Sequence, residues 1–307
     1  MRIAVIGAGG LGGYFGARLA LGGRAEVHFV ARGAHLAAMR SGGLRIDGPT
    51  PLHLPSPSVT DDAARIGPVD LVMLCVKLAD TEAALGQARS LMGPDSAIVS
   101  FQNGVTKDEP LRAAFGPDRV MGGVGYIAAT IGEPGTVRQT GPMQRLLFGE
   151  FDGRRSARGE ALLDACRAGG IDAELSTAIR REIWQKFVFL AGLSGTTATM
   201  RTTIGPIREN PRTRAFLQDV MREVVAVGLA HGVDLPADQV ERAMERADTV
   251  SPQMTSSMHH DLDRGNRLEV RWLAGSVVRL GAERGVPTPM NRAIADILEL
   301  HADGRRD

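Results

Sequence analysis

Residues 2–21 carry the pattern that restricts this chain most. Arg2–Ile6 is a short, β-branched apolar run that stops at Gly7, and Leu11–Leu21 has helix-forming character until Gly22-Gly23 ends it. Between them Gly7, Gly9 and Gly12 spell G-x-G-x-x-G. That spacing alone is weak, but directly after a strand and at the mouth of a helix it marks a dinucleotide-binding turn. Gly7 permits the tight turn, Gly9 lets backbone approach a pyrophosphate, and Gly12 lets the helix lie close on the strand. Gly10 and Leu11 complete the first helical turn, whose N–H groups lack helical acceptors and receive the anion.

The rest of the N-terminal half repeats the alternation. Glu26–Ala31, Val69–Val76 and Ala97–Phe101 are near-continuous apolar runs, as parallel strands covered on both faces require. Helical stretches such as Thr81–Leu91 lie between them, which predicts a doubly wound Rossmann sheet. Val120–Glu150 is rich in Gly, Thr and Val, with Pro134-Gly135 and Gly141-Pro142 as turn signals, and reads as short antiparallel strands closing that sheet. From about Ser176 the strand signals vanish. Ile179–Leu193, Thr213–His231, Ala237–Thr249, Leu268–Arg284 and Asn291–His301 carry helical periodicity instead. The fold class is therefore α/β: a Rossmann domain over residues 1–175, then an all-helical domain over 176–307, with the boundary near Ala173–Thr177. Gly304–Asp307 read as a frayed tail. The length of 307 residues suits two domains at roughly 100–200 residues each.

The end of the second strand bears on which dinucleotide is bound. NAD sites usually place Asp or Glu there for the ribose 2′-hydroxyl. This chain has Ala31 and Arg32, so no carboxylate is expected to be available to repel a phosphate, and the planar fork of Arg32 suits a 2′-phosphate. The expected cofactor is NADPH/NADP.

Composition removes other classes. A formal net charge of +1 supplies no global field for nucleic acid or an acidic membrane, and 4% aromatic residues leave little surface for base stacking. The opening apolar run breaks into glycines after about five residues, short of the roughly 7–15 of a secretory signal. No run reaches the roughly 18 residues of a membrane span. Two distant cysteines, Cys75 and Cys166, show no metal spacing and fit a reducing cytoplasm. His259-His260 are adjacent, point to different sides of a helix and have no companion ligands at suitable spacing, so no metal is expected.

The chain carries G-A-G-G-L-G at Gly7–Gly12, A-R-G at Ala31–Gly33, C-V-K at Cys75–Lys77, F-Q-N-G at Phe101–Gly104, W-Q-K-F at Trp184–Phe187, and S-S-M-x-x-D at Ser256–Asp261 with Glu269 beyond. This ordered set gives it a resemblance to the ketopantoate reductase (2-dehydropantoate 2-reductase) family. It implies a Rossmann domain followed by a helical domain, an active site in the cleft between them, and reduction of a small 2-oxo acid with NADPH. It also implies that Lys186 is the general acid and that Lys77 and Asn103 line the cofactor and substrate site near the nicotinamide. Ser257 would bind substrate, and Glu269 would hydrogen-bond the substrate hydroxyl or hold Lys186. The chemistry agrees: hydride delivery leaves negative charge on oxygen, which needs a donor, and Lys186 is the sole lysine of the helical half among arginines that do not release protons. Its apolar setting in W-Q-K-F-V-F-L would lower its pKa. Glu269 reads as mid-helix, with Arg267 and Arg271 nearby as alternative partners.

The match departs at four positions. Where the family has asparagines, this chain has Leu190, Ser194, Ile204 and Met254. Loss of polar substrate contacts changes discrimination, so a reductase of bulkier 2-oxo acids stands beside the ketopantoate reading. A non-catalytic NADPH-binding sensor is the alternative of another class. A homodimer is left open, since an apolar helix face serves core or interface alike.

Overall fold

The computed structural model describes residues 1–305, which fold as two units: residues 1–103 with 107–179, and Gly104–Thr106 with the chain from Arg180 onward. In the first unit the elements run β1 (Arg2–Ile6), α1 (Gly10–Leu21), β2 (Glu26–Val30), α2 (Gly33–Gly42), β3 (Leu44–Asp47), β4 (Leu52–Leu54), β5 (Ser58–Thr60), β6 (Val69–Leu74), α3 (Thr81–Ala88), β7 (Met92–Ser100), α4 (Glu109–Phe115), β8 (Val120–Ile131), β9 (Thr136–Gly149), α5 (Ala157–Ala168) and β10 (Asp172–Leu175). They form one sheet of order β4-β3-β9-β8-β7-β6-β1-β2-β5, with β10 on β9.

The near-continuous apolar strands are explained by burial on both faces. Along β1, Ile3 and Val5 enter one core with Phe15, Phe29 and Phe148, while Ala4 and Ile6 enter the other with Val72, Leu74 and Ile98. The strands β5, β2, β1, β6, β7 and β8 pair in parallel. The chain leaves β1 towards β2 and returns to its other side as β6, so the carboxyl ends of β1 and β6 flank the point where the winding reverses, the place where open α/β sheets bind ligands.

Val120–Glu150 differs from expectation. It forms two long antiparallel strands of 12 and 14 residues, not several short ones. The chain reverses at Glu133–Gly135, but Gly141-Pro142 ends nothing: the ladder passes from Ile127↔Gln144 to Ala129↔Gln139, so residues 140–143 are looped out of β9. The outer edge of β9 then takes β3 at one end and β10 at the other.

The second unit has helices and no strand among its described residues: α6 (Ile179–Met200, entered from the first unit), α7 (Ile204–Glu209), α8 (Pro211–Ala230), α9 (Gln239–Thr249), α10 (Ser257–Arg264), α11 (Ala274–Arg284) and α12 (Pro289–Leu298). Glu223 of α8 accepts from the Met290 and Asn291 N–H groups at 2.7 and 2.9 Å, which caps α12 and joins the two helices. The expected helix over Leu268–Arg284 starts only at Ala274. Val270 and Leu273, buried ahead of the helix, run at three- and four-residue spacing into the buried Val277 and Leu280 of α11, which mimics one longer helix. Within the expected tail, Gly304 N–H donates to His301 O at 3.0 Å and Arg305 N–H to Gly265 O at 2.9 Å, so these two residues are anchored. Residues 306 and 307 lie outside the described residues.

Glu150 ties the end of β9 to the start of α5. Its carboxylate accepts from Arg158 Nε and Nη2, each at 2.7 Å, and from Ser156 Oγ at 2.6 Å. Burial alone would raise its pKa, but the hydrogen bonds from Arg158 and Ser156 and the charges of Arg158 and Arg154 outweigh that and lower it. A depressed carboxylate pKa stabilises the fold above the unfolded value and loses that contribution as pH falls through the folded one. Glu150→Gln is expected to cost about 1–3 kcal/mol in urea unfolding at pH 7, with the gap from wild type closing in acid. A gap that stays constant into acid would refute the ionic origin.

Candidate functional site

The sheet brings four of the sequence-marked segments to one edge, in the order β7, β6, β1, β2. Asn103 follows β7, Lys77 follows β6, the Gly7–Gly12 turn follows β1, and Arg32 follows β2. Hydrogen bonds of about 3 Å extend the ladder past the strand ends: Gly7 N–H to Val30 O, Cys75 N–H to Ile6 O, and Phe101 N–H to Leu74 O.

The glycines of the turn differ in what surrounds them. Gly7 has φ +97°, and a side chain there would meet Val76. A Cβ at Gly12 would collide with the Gly7 carbonyl oxygen and Cys75, and one at Gly10 with the Ala129 carbonyl of β8. Gly9 is the exception, with nothing within 4 Å of a Cβ, so open space lies over the N-cap of α1. The first helical bond runs from Gly13 N–H to Gly9 O at 2.7 Å, which leaves the N–H groups of Gly10, Leu11 and Gly12 without helical acceptors. This close-packed turn with one open approach fits a dinucleotide pyrophosphate.

Arg32 is the N-cap residue of α2 and its side chain is 84% exposed. The sequence shows no carboxylate beside it, but the fold supplies one: Asp80, from the segment after β6, accepts from Arg32 Nη2 at 3.1 Å. The contact engages one nitrogen of the fork.

Lys77 is exposed and opens the single turn Leu78–Asp80. Asn103 is half-buried on the segment after β7, and a buried network holds that segment. Ser100 Oγ donates to Gln102 Oε1 at 3.0 Å, and Gln102 Nε2 donates to Thr81 Oγ1 at 2.8 Å, joining the Asn103 and Lys77 segments. Lys107 Nζ donates to Ser100 O and to both carboxylate oxygens of Asp108, each at 2.9 Å. Lys107 and Asp108 are both buried; burial draws the Lys107 pKa down and pushes the Asp108 pKa up, against their mutual attraction. Sequence reasoning passed over this pair. A signal existed: the chain has three lysines, Lys77, Lys107 and Lys186, among many arginines.

In the helical unit Lys186 is half-buried on α6, and Leu190 and Ser194 follow it at one-turn spacings on the same stripe. Ser194 is buried and its Oγ has no hydrogen-bond partner among the described residues. One turn on, Thr197 receives α10: its carbonyl accepts from His259 Nδ1 at 2.8 Å and its hydroxyl lies 3.3 Å from Ser256 Oγ. Ser256 caps α10, and Ser257 is the exposed first residue of that helix. Ile204 N–H donates to Met254 O at 3.0 Å, so two of the four departures from the family pattern are backbone neighbours. Glu269 is not mid-helix. It is buried in the turn before α11, where its carbonyl accepts from Trp272 and Leu273 N–H, while Arg271 pairs instead with Glu299 and Asp303. The neighbouring histidines diverge: His259 Nε2 faces Asp263 and His260 Nε2 faces Thr255. No group of three His, Cys, Asp or Glu suited to a metal ion occurs among the described residues.

A glycine-rich strand–turn–helix at the reversal point of a parallel sheet, followed by a helical unit, defines a two-domain class with a Rossmann dinucleotide-binding fold. Comparison with known proteins narrows the class. Residues 3–153 match "Ketopantoate reductase PanE/ApbA" and residues 178–302 match "Ketopantoate reductase PanE/ApbA C terminal". The chain belongs to this family. A 2-dehydropantoate 2-reductase of Mesorhizobium japonicum is 32% identical, covering 96% of this chain and 95% of that protein. One from Halobacterium salinarum is also 32% identical, covering 98% of each. The crystal structure of 2-dehydropantoate 2-reductase from Geobacter metallireducens superposes with a TM-score of 0.91 at 30% identity, covering 98% of this chain and 99% of that one.

The buried Lys107–Asp108 pair is open to direct test. Lys107→Met leaves the Asp108 carboxyl buried without its cation and is expected to destabilise the protein by about 3–5 kcal/mol in urea unfolding. Lys107→Met with Asp108→Leu should recover much of that loss. Equal stability of the single and double variants would show that the buried charge is not the cause.

Proposed function

We propose that this protein reduces ketopantoate, a 2-oxo acid, to the 2-hydroxy acid pantoate with NADPH. The observation that carries the reading is the retention of Lys186 on α6 in a chain that belongs to the ketopantoate reductase family along both units. When bound, NADPH supplies the hydride for the carbonyl carbon. The N–H groups of Gly10, Leu11 and Gly12 bind its pyrophosphate, with Gly7 and Gly9 shaping the approach, and Arg32 binds its 2′-phosphate through the donors that Asp80 does not engage. Lys77 and Asn103 line the nicotinamide end, held relative to each other through Gln102 and Thr81. Lys186 stabilises the charge that develops on the carbonyl oxygen and donates the proton from Nζ. Ser257 binds the substrate carboxylate, and Glu269 hydrogen-bonds the substrate hydroxyl or orients Lys186.

Burial pushes the thiols of Cys75 and Cys166 up to about 12, which disfavours the thiolate at both, and neither is assigned a role in this chemistry. Two free cysteines suit a cytoplasmic site of action. No helix among the described residues is long and apolar enough to cross a membrane.

A second reading, reduction of a bulkier 2-oxo acid, is favoured by the apolar Leu190 one turn from Lys186 and by Ile204 and Met254 side by side. A panel of 2-oxo acids with NADPH decides between the two by kcat/KM. If ketopantoate is the poorer substrate, Leu190→Asn should raise its turnover, and no change would count against the bulkier-acid reading.

Lys186→Ala is expected to lower kcat by at least about 100-fold with NADPH affinity kept. Undiminished turnover would remove Lys186 from the mechanism, and NADPH binding without turnover in wild type would indicate a sensor. Arg32→Ala should raise KM for NADPH by about tenfold or more and leave KM for NADH unchanged. Equal loss with both cofactors would mean that Arg32 does not read the 2′-phosphate.

A further inference from the structure

We propose that His35 is a positioning residue for the dinucleotide turn, a neutral Nε2–H clamp that fixes the Ala8–Gly9 peptide between α2 and the β8–β9 turn. This rests on the cofactor reading given above. His35 lies in the first turn of α2, three residues after Arg32. Its Nε2 is 2.9 Å from Ala8 O and its Nδ1 is 3.0 Å from Gly135 N. A backbone N–H can only donate and a carbonyl can only accept. Nδ1 must therefore be bare and Nε2 must carry the hydrogen, so a single neutral tautomer satisfies both contacts. Burial lowers the His35 pKa, partly opposed by the hydrogen bond to Ala8, which agrees with a ring held neutral.

The clamp acts where the turn is otherwise least restrained. Ala8 stands between Gly7 and Gly9, two residues with wide backbone freedom. Gly7 is packed against Val76, but nothing lies within 4 Å of a Cβ at Gly9. Because a peptide is planar and trans, pinning the Ala8 carbonyl also sets the direction of the Gly9 N–H, which points the opposite way. The Gly9 carbonyl is held separately by Gly13 N–H, so both peptides that flank Gly9 are anchored, one by the helix and one by His35.

The far end of the clamp is itself fixed. Gly135 O accepts from Arg45 N–H at 2.9 Å, and a Cβ at Gly135 would lie 3.0 Å from Ala38 Cβ, one turn along α2 from His35. One short helix thus carries the residue placed at the 2′-phosphate and the residue that sets the pyrophosphate turn.

The test separates the two hydrogen bonds. A glutamine at position 35 places an N–H donor near the Nε2 position, whereas an asparagine places an acceptor near the Nδ1 position. NADPH titration by fluorescence and steady-state kinetics compare the full chain with His35→Gln, His35→Asn and His35→Phe. His35→Gln should keep Kd within about threefold of wild type, while His35→Asn and His35→Phe raise it about tenfold. In all three, kcat at saturating NADPH should stay within about twofold, because the clamp acts on binding. Amide hydrogen exchange of Gly9 without cofactor gives a second readout, faster in His35→Phe and restored in His35→Gln. Equal affinities for the glutamine and asparagine variants, or unchanged exchange in His35→Phe, would overturn the proposal. Failure of wild type to bind NADPH would overturn the cofactor reading itself and the clamp's purpose with it, a result distinct from failure of the variants alone.

Discussion

Close approach of backbone to backbone at the start of α1 is the contact on which the first unit depends. The helix lies so near β1 and β8 that side chains at Gly12 and Gly10 would strike the carbonyl oxygens of Gly7 and Ala129. That proximity lets Tyr14, Phe15 and Leu19 bury fully against the sheet, and it aims the unpaired N–H groups of the first helical turn past the end of β1. Packing and the placement of those donors thus rest on the same few missing side chains.

The parallel sheet then does for distant residues what the turn does locally. Strands that pair side by side and run the same way present their following segments at one edge, so Arg32, Gly7–Gly12, Lys77 and Asn103 share that edge despite lying far apart in the chain. Short-range hydrogen bonds finish the placement. Gln102 links to Thr81, and Lys107 with Asp108 braces Ser100 in the dry interior, where an ion pair is tolerated only with its donors and acceptors filled.

In the helical unit, spacing along α6 organises the candidate chemistry. Lys186, Leu190 and Ser194 recur at one-turn intervals, and Thr197 receives α10 and its Ser256 cap. Lys186 and the two departures Leu190 and Ser194 therefore share one stripe of α6. The mid-helix reading of Glu269 was wrong because buried Val270 and Leu273 continue at helical spacing into Val277 and Leu280 of α11, yet Trp272 and Leu273 N–H both turn back to the Glu269 carbonyl.

Local physics made much of this protein legible in the chain itself. β-Branched apolar runs specify buried parallel strands, glycine spacing specifies the turn between β1 and α1, and helical period specifies the second unit. Each is a property of neighbours within about ten residues, so sequence alone determined them. Tertiary structure decided whatever depends on partners far apart in the chain. Asp80 beside Arg32, His35 between Ala8 and Gly135, and the 14-residue β9 with its looped-out Gly141-Pro142 follow from strand order and register. A hydrogen bond across 48 or 100 positions leaves no periodic trace in a sequence. It exists only once the sheet has closed the distance.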